Sequence, residues 1–142
     1  MDNLHNRPGP VRPGEELDTQ RLEAYLATVF PKLEEPLTVA QYPSGFSNLT
    51  YLLRFANREI VLRRPPFGIE GKGAHDMGRE FRILDALRDA YPPAPTPLHF
   101  CGDEEVIGAE FYLMEPVHGV ILREQKPAAW RCSPSEVRRY CE

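Results

Sequence analysis

The residues best suited to chemistry in this sequence are a turn of small polar residues and a cation that follows it. The turn consists of Ser44, Gly45, Phe46, Ser47 and Asn48. It carries little bulk on its backbone, so its N–H groups can close over phosphate oxygens. Arg63 would bring a fixed positive charge to the same oxygens, and its planar guanidinium suits a bidentate contact. This pattern predicts a phosphate-binding hairpin.

The same residues also allow a purely structural interpretation. The turn can be an ordinary hairpin turn, although two-residue hairpins more usually carry Asn-Gly or Asp-Gly. Arg63 can be a solvated residue at the end of a strand, and we expect its neighbour Arg64 to be solvated. The residues alone leave both alternatives open.

The elements that must position these residues can be read from apolar spacing. Asp18 is a good N-cap for a helix that Pro31 ends. Alternating apolar residues predict three successive antiparallel strands over residues 37–42, 49–55 and 59–64. The turn therefore joins the first strand to the second, and Arg63 lies at the end of the third.

A second helix and two further strands follow a glycine-containing loop. The helix is predicted over residues 77–91 with Asp76 as its N-cap, and His75 is a loop residue without an assigned role. The strands are predicted over residues 98–101 and 110–115. A last helix begins with Ser133 as cap and Pro134 in its first position. This order predicts an α+β fold.

Composition limits the classes of function. The chain has 142 residues, 42% of them hydrophobic and 27% charged, with a net charge of −4, as expected for a soluble globular protein. Basic residues are scattered, so we expect no nucleic-acid partner, and no apolar run approaches the roughly 20 residues that a membrane span needs. Three widely spaced cysteines predict free thiols in a reducing compartment, and we expect a cytoplasmic protein with a disordered leader over residues 1–16.

Four segments carry a family resemblance when taken in order. They read Ser-Gly-Phe-Ser-Asn-Leu-Thr-Tyr, Val-Leu-Arg-Arg-Pro-Pro, Ala-His-Asp-Met-Gly-Arg-Glu-Phe-Arg-Ile-Leu and Phe-Tyr-Leu-Met-Glu-Pro-Val-His-Gly. Together they resemble the aminoglycoside-phosphotransferase-like family of small-molecule kinases, relatives of choline kinase, and most closely the kinase-like domain associated with acyl-CoA dehydrogenases. The resemblance covers residues 37–122. It implies a protein-kinase-like N-terminal lobe, in which a five-stranded antiparallel sheet is flanked by an αC-type helix and an N-terminal helix.

The resemblance also implies roles for individual residues. Arg63 corresponds to the cation that contacts the α- and β-phosphates of ATP, and Glu80 to the acidic residue that pairs with it. Met114, Glu115 and Val117 lie where backbone groups of the hinge between lobes bind the adenine edge. A solvated Glu80 and a buried edge strand before the hinge are the structural alternatives.

Composition and the resemblance together divide the chain into a leader over residues 1–16, the N-terminal lobe over 17–116, and a hinge with a truncated start of the C-terminal lobe over 117–142. A His-Gly-Asp catalytic loop and the later magnesium-binding aspartate of such kinases do not follow Gly119. We therefore expect the C-terminal lobe to be absent, no catalytic residue in this chain, and Mg²⁺ only together with the missing lobe.

Three functions are compatible with these observations. The first is the ATP-binding portion of a phosphotransferase that acts on a hydroxyl of a small molecule. Its acceptor is unknown, a hydroxyacyl compound is one candidate, and this chain alone would be inactive. The alternative is a non-catalytic nucleotide-binding or docking module that pairs with a separate C-lobe polypeptide, or associates with itself through an exposed apolar seam. The third is a β-rich binding domain unrelated to kinases.

Overall fold

Helices flank two runs of consecutive strands in the part of the chain that the computed structural model describes, which is residues 7–43, 47–69, 75–119 and 133–141. The elements are α1 (Thr19–Val29), β1 (Thr38–Gln41), β2 (Leu49–Arg54), β3 (Glu59–Arg64), α2 (Met77–Leu87), β4 (Pro97–Cys101), β5 (Phe111–Met114) and α3 (Pro134–Cys141). The predicted α+β class is confirmed.

The five strands form one antiparallel sheet in the order β1-β2-β3-β5-β4. The last strand in sequence is thus inserted between β3 and β4. Its register places Tyr112 opposite Arg63, and Arg63 is in turn opposite Thr50 on β2. Three strands therefore bring polar side chains to one line across the sheet.

The two faces of the sheet have different partners. Ile60 and Leu62 of β3 belong to the hydrophobic core, which also contains Leu22 and Leu26 of α1. The other face is contacted by α2, whose Phe81 ring lies 6.1 Å from the ring of Phe100 and 6.2 Å from that of Tyr112, centroid to centroid. Arg63 therefore points towards α2 and away from the core, because side chains alternate along a strand.

The N-caps predicted for the first two helices are confirmed. The Asp18 carboxylate accepts a hydrogen bond from the backbone N–H of Arg21 at 3.0 Å, and that of Asp76 accepts from Arg79 at 2.8 Å. The second helix is shorter than predicted, since α2 ends at Leu87. The backbone then turns, with the N–H of Tyr91 donating to the carbonyl of Leu87 at 2.8 Å.

The prediction that Arg64 is solvated is wrong. Its side chain is only 2% exposed, its Nη1 donates to the carbonyl of Ile107 at 2.9 Å, and its guanidinium lies 3.7 Å from the centre of the Phe67 ring. The cause is the alternation of the strand, because Arg64 is on the same face as Ile60 and Leu62.

Residues 7–16 also differ from the predicted disordered leader. Gly9 and Gln41 exchange backbone hydrogen bonds of 2.8 and 2.9 Å, which extends the sheet beside β1. The buried Gln41 side chain donates to the carboxylate of Glu15, and the hydroxyl of Tyr51 donates to the Glu15 carbonyl at 2.7 Å. The segment is ordered because it satisfies polar groups that β1 and β2 bury.

The chain forms two compact units, one over Arg7–His118 and one that joins residues 1–6 to Gly119–Glu142. In the second unit, α3 begins as predicted, with Ser133 before Pro134. The backbone N–H of Glu136 donates to the Ser133 hydroxyl at 3.3 Å, and the Glu136 carboxylate accepts from the Ser133 N–H at 2.7 Å. This is a capping box. Among the described residues, no helix has the length and apolar character to cross a bilayer.

Candidate functional site

The predicted pair between Arg63 and Glu80 is present. Nε of Arg63, near the end of β3, donates to Oε2 of Glu80 at 2.8 Å. Glu80 lies in the first turn of α2, where the Asp76 cap fixes the start of the helix. The two side chains are 28% and 26% exposed, so the pair lies at the edge of the protein interior and is shielded from solvent more than a surface ion pair.

A second contact fixes the plane of the Arg63 guanidinium. Its Nη1 donates to the hydroxyl of Thr50 on the neighbouring strand at 3.2 Å. Within the described part of the chain, Nη2 has no hydrogen-bond partner. Arg63 is therefore held at two nitrogens, and the third is left without a protein partner among the described residues.

Glu80 receives donors on both of its carboxylate oxygens. Oε1 accepts from the side-chain amide of Asn48 at 2.8 Å. Oε2, which binds Arg63, also accepts from the hydroxyl of Tyr112 at 3.1 Å. Burial raises the pKa of Tyr112, and the nearby Glu80 carboxylate raises it further, so the phenol stays protonated and remains a donor.

The side chain of Asn48 lies inside the protein. It is 1% exposed, and its Oδ1 lies 2.7 Å from Nδ1 of His75. The side chain therefore contacts Glu80 and His75 inside the protein, and the prediction that Asn48 binds phosphate rests on its backbone N–H.

The other turn residues remain predictions. Ser47 is exposed, which is compatible with a ligand contact. The predicted phosphate contacts of Ser44, Gly45 and Phe46 lie outside the described residues.

Sequence reasoning missed three members of this cluster, which are Thr50, His75 and Tyr112. The alternation of β5 offered a signal for Tyr112, because it places that side chain on the face opposite the core residues Phe111 and Leu113. His75 had no such signal, since it lies in a loop, and loop residues have no fixed period. Its only indication is its place directly before the Asp76 cap.

The residues predicted to contact adenine do not contribute equally. Met114 is opposite Val61 of β3, on the same face as Arg63. The backbone N–H of Glu115 donates to the carbonyl of Thr96 at 2.9 Å, and its carboxylate pairs with Arg58. A base contact by Glu115 would therefore use its carbonyl group. Val117 is 62% exposed, and its backbone stays a predicted contact.

The described residues include no group of three or more His, Cys, Asp or Glu side chains that could hold a metal ion. Glu80 itself is a poor magnesium ligand here, because both of its oxygens accept hydrogen bonds from protein donors. We therefore do not assign Glu80 as a magnesium ligand. What the cluster can do is hold one guanidinium rigidly beside a turn and offer it to an anion.

Comparison with known proteins identifies a matching family and several longer relatives. The family model for the phosphotransferase enzyme family matches residues 38–142. Mouse acyl-CoA dehydrogenase family member 10 is 40% identical over 116 residues, which are 81% of this chain and 11% of that protein. Human acyl-CoA dehydrogenase family member 11 is 41% identical over 118 residues, 80% of this chain and 15% of that protein.

A solved structure shows the same fold. A protein of Ralstonia eutropha JMP134, assigned as an aminoglycoside phosphotransferase, superposes with a TM-score of 0.63 at 35% identity, over 81% of this chain and 32% of that one. The chain thus spans a small part of each relative. Since the family model covers most of the sequence and the arginine–glutamate pair occupies the position that the resemblance implies, the chain belongs to the phosphotransferase enzyme family.

Proposed function

We propose that this chain supplies the ATP-binding portion of a phosphotransferase that moves the γ-phosphate of ATP to a hydroxyl group of a small molecule. The observation that carries the proposal is the Arg63–Glu80 pair, with Nε bound to the carboxylate and Nη1 bound to Thr50. A guanidinium held in this way is preorganised, so an incoming phosphate does not have to order it.

The charge arrangement supports a phosphate ligand. The carboxylate of Glu80 accepts hydrogen bonds from Arg63 Nε, the Asn48 amide and the Tyr112 hydroxyl. The third nitrogen of Arg63 can then donate to a phosphate oxygen, with the backbone N–H groups of the turn on the same ligand. Bound ATP would supply the phosphoryl group that is transferred, while the residues of this chain bind and orient it.

This chain on its own is expected to bind ATP without transferring phosphate. The sequence has no His-Gly-Asp segment after Gly119 to provide a base for the acceptor hydroxyl. The base, the magnesium ligands and the acceptor site would lie outside these 142 residues. Hydroxylated acyl compounds are the acceptors to screen first, because the similar proteins are named acyl-CoA dehydrogenase family members.

The test is calorimetric titration of the 142-residue protein with ATP and magnesium, on the wild type, Arg63→Ala and Arg54→Ala. A hydrogen bond to a charged group contributes about 1.5–3 kcal/mol, so we expect Arg63→Ala to weaken ATP binding about tenfold or more. Arg54 is the matched control, since it is also a strand arginine paired with a glutamate, Glu59, and its side chain is 47% exposed. Its loss should leave the affinity within twofold.

Two results would contradict the proposal. One is a folded wild-type protein that shows no heat of binding at millimolar ATP, and the other is equal binding by the wild type and Arg63→Ala. Binding without transfer by the chain, followed by transfer when a C-lobe polypeptide is added, would favour the docking module among the alternatives.

A further inference from the structure

We propose that Asn48 and His75 are positioning residues, which hold the carboxylate of Glu80 in the orientation that binds Arg63. The consequence for nucleotide affinity rests on the function proposed above. The positioning itself does not, because it concerns contacts inside the protein.

The direction of each hydrogen bond in this chain of contacts follows from chemistry. An ionised carboxylate only accepts, so the atom of Asn48 that meets Oε1 of Glu80 must be the amide nitrogen. The amide oxygen then faces His75 and can only accept, so Nδ1 of His75 must carry a proton. The network therefore assigns one tautomer, with hydrogen on Nδ1, to the neutral imidazole.

Asn48 prevents a rotation of the Glu80 carboxylate that the other partners of Glu80 do not prevent. Arg63 and Tyr112 both donate to Oε2, and among the described residues Asn48 is what holds Oε1. The last torsion of a glutamate has a broad energy profile, so a carboxylate held at one oxygen can turn about that contact. A donor on the second oxygen prevents the turn.

His75 controls the orientation of Asn48 in the same way. A flip of the amide would exchange its oxygen and nitrogen and would bring Oδ1 against Oε1 of Glu80, two acceptors in contact. The N–H of His75 opposes the flip, because it needs the amide oxygen at 2.7 Å. His75 precedes α2 and Asn48 precedes β2, so their contact also ties the start of the helix to the strand that follows the turn.

A matched pair of substitutions isolates the N–H of His75. Asparagine carries its amide nitrogen on Cγ, as histidine carries Nδ1, so His75→Asn can still donate to Asn48, whereas His75→Asp cannot. An aspartate before a helix is favourable for the helix itself. With ATP titration as the readout, we expect His75→Asn to stay within twofold of the wild type and His75→Asp to bind about five- to tenfold more weakly.

His99→Asn is the control for loss of stability alone. His99 contacts the hydroxyl of Tyr25 on α1 through Nε2 at 2.8 Å, so it serves the opposite side of the sheet. We expect this variant to lower the melting temperature and to leave ATP affinity unchanged. Equal affinities of His75→Asp and the wild type, or an equal loss of affinity in His99→Asn, would overturn the positioning role.

Nitrogen-15 NMR of the wild-type imidazoles tests the proposal without any ligand. At a pH where His75 is neutral, we expect a protonated Nδ1 and an unprotonated Nε2. The opposite tautomer would refute the proposal even if ATP binds. If the wild type fails to bind ATP but shows the Nδ1–H tautomer, the proposed function fails while the positioning contact stands.

Discussion

The amide of Asn48 donates to Oε1 of Glu80 at 2.8 Å and leaves Oε2 to Arg63 and Tyr112. Each oxygen of the carboxylate thus has its own donors, contributed by three separate strands or strand ends. This saturation explains why a charged pair that is only about a quarter exposed is tolerated, since a buried charge needs both a partner and hydrogen bonds.

Glu80→Gln should destabilise the protein although it keeps the size of the side chain. Glutamine has an NH₂ group in place of one carboxylate oxygen, and this group donates a hydrogen bond and does not accept one. One of the three donors, Asn48, Arg63 or Tyr112, therefore loses its acceptor. We expect the free energy of unfolding to fall by about 1–3 kcal/mol, measured by urea denaturation. Glu59→Gln is the control, because Glu59 pairs with the exposed Arg54, and it should change stability by less than about 0.5 kcal/mol. Equal effects of the two substitutions would contradict the account of the cluster.

Arg64→Ala should cost more stability than Arg54→Ala. The first substitution leaves a cavity at a buried position, removes the donor to the Ile107 carbonyl and ends the contact of the guanidinium with the Phe67 ring. We expect a loss of about 2–4 kcal/mol from the cavity and the orphaned carbonyl. Arg54→Ala should stay within about 0.5 kcal/mol, since exposed pairs contribute little. Thermal and urea unfolding of both variants would check the difference, and similar stabilities would argue against a buried Arg64.

Deletion of residues 1–16 should weaken the protein at β1. It removes the backbone partner of Gln41 and the acceptors at Glu15 for the Gln41 amide and the Tyr51 hydroxyl. We expect a loss of about 2–3 kcal/mol, because each buried polar group left unpaired costs about 1–3 kcal/mol. A deletion that ends at residue 6 is the control and should leave these contacts intact. If both deletions unfold at the same urea concentration, the segment does not stabilise the fold.

Acidification should destabilise the protein through His99. Burial lowers the pKa of His99 below its ordinary value of 6.5, so the folded state favours the neutral imidazole. The resulting stability is complete above the unfolded-state pKa and is lost as the pH falls through that value towards the folded-state pKa. Unfolding free energies measured between about pH 7.5 and 5 should therefore decline in the wild type.

His99→Gln provides the comparison, because its terminal amide can still bond to the Tyr25 hydroxyl and does not titrate. The decline in this variant should be shallower than in the wild type. Parallel curves would mean that other groups cause the loss of stability in acid.

The pairing of Arg63 with Glu80 could be predicted because the family resemblance assigns the two residues to a paired cation and acid, and both side chains are present at the implied places on β3 and α2. The alternation of β3 predicts a buried Arg64, because Ile60, Leu62 and Arg64 lie on the core face of the strand. The charge of the Arg64 side chain instead favoured a solvated interpretation. His75 could not have been found, because its contact with Asn48 depends on how a loop approaches a strand 27 residues away. The pairing of β5 with β3 could not be predicted either. The sequence gives the order of the strands along the chain, but it does not give their order in the sheet.

The insertion of β5 beside β3 has a consequence for biosynthesis. Asn48, Arg63 and Glu80 are all translated before Phe111–Met114, yet Tyr112 and the strand that carries it complete their surroundings. While β5 is still inside the ribosome, the nascent chain can form the β1-β2-β3 meander. One edge of β3 is then unpaired, because β5 is the strand that pairs with it. The arginine–glutamate pair thus gains its final environment only when the fifth strand closes that edge.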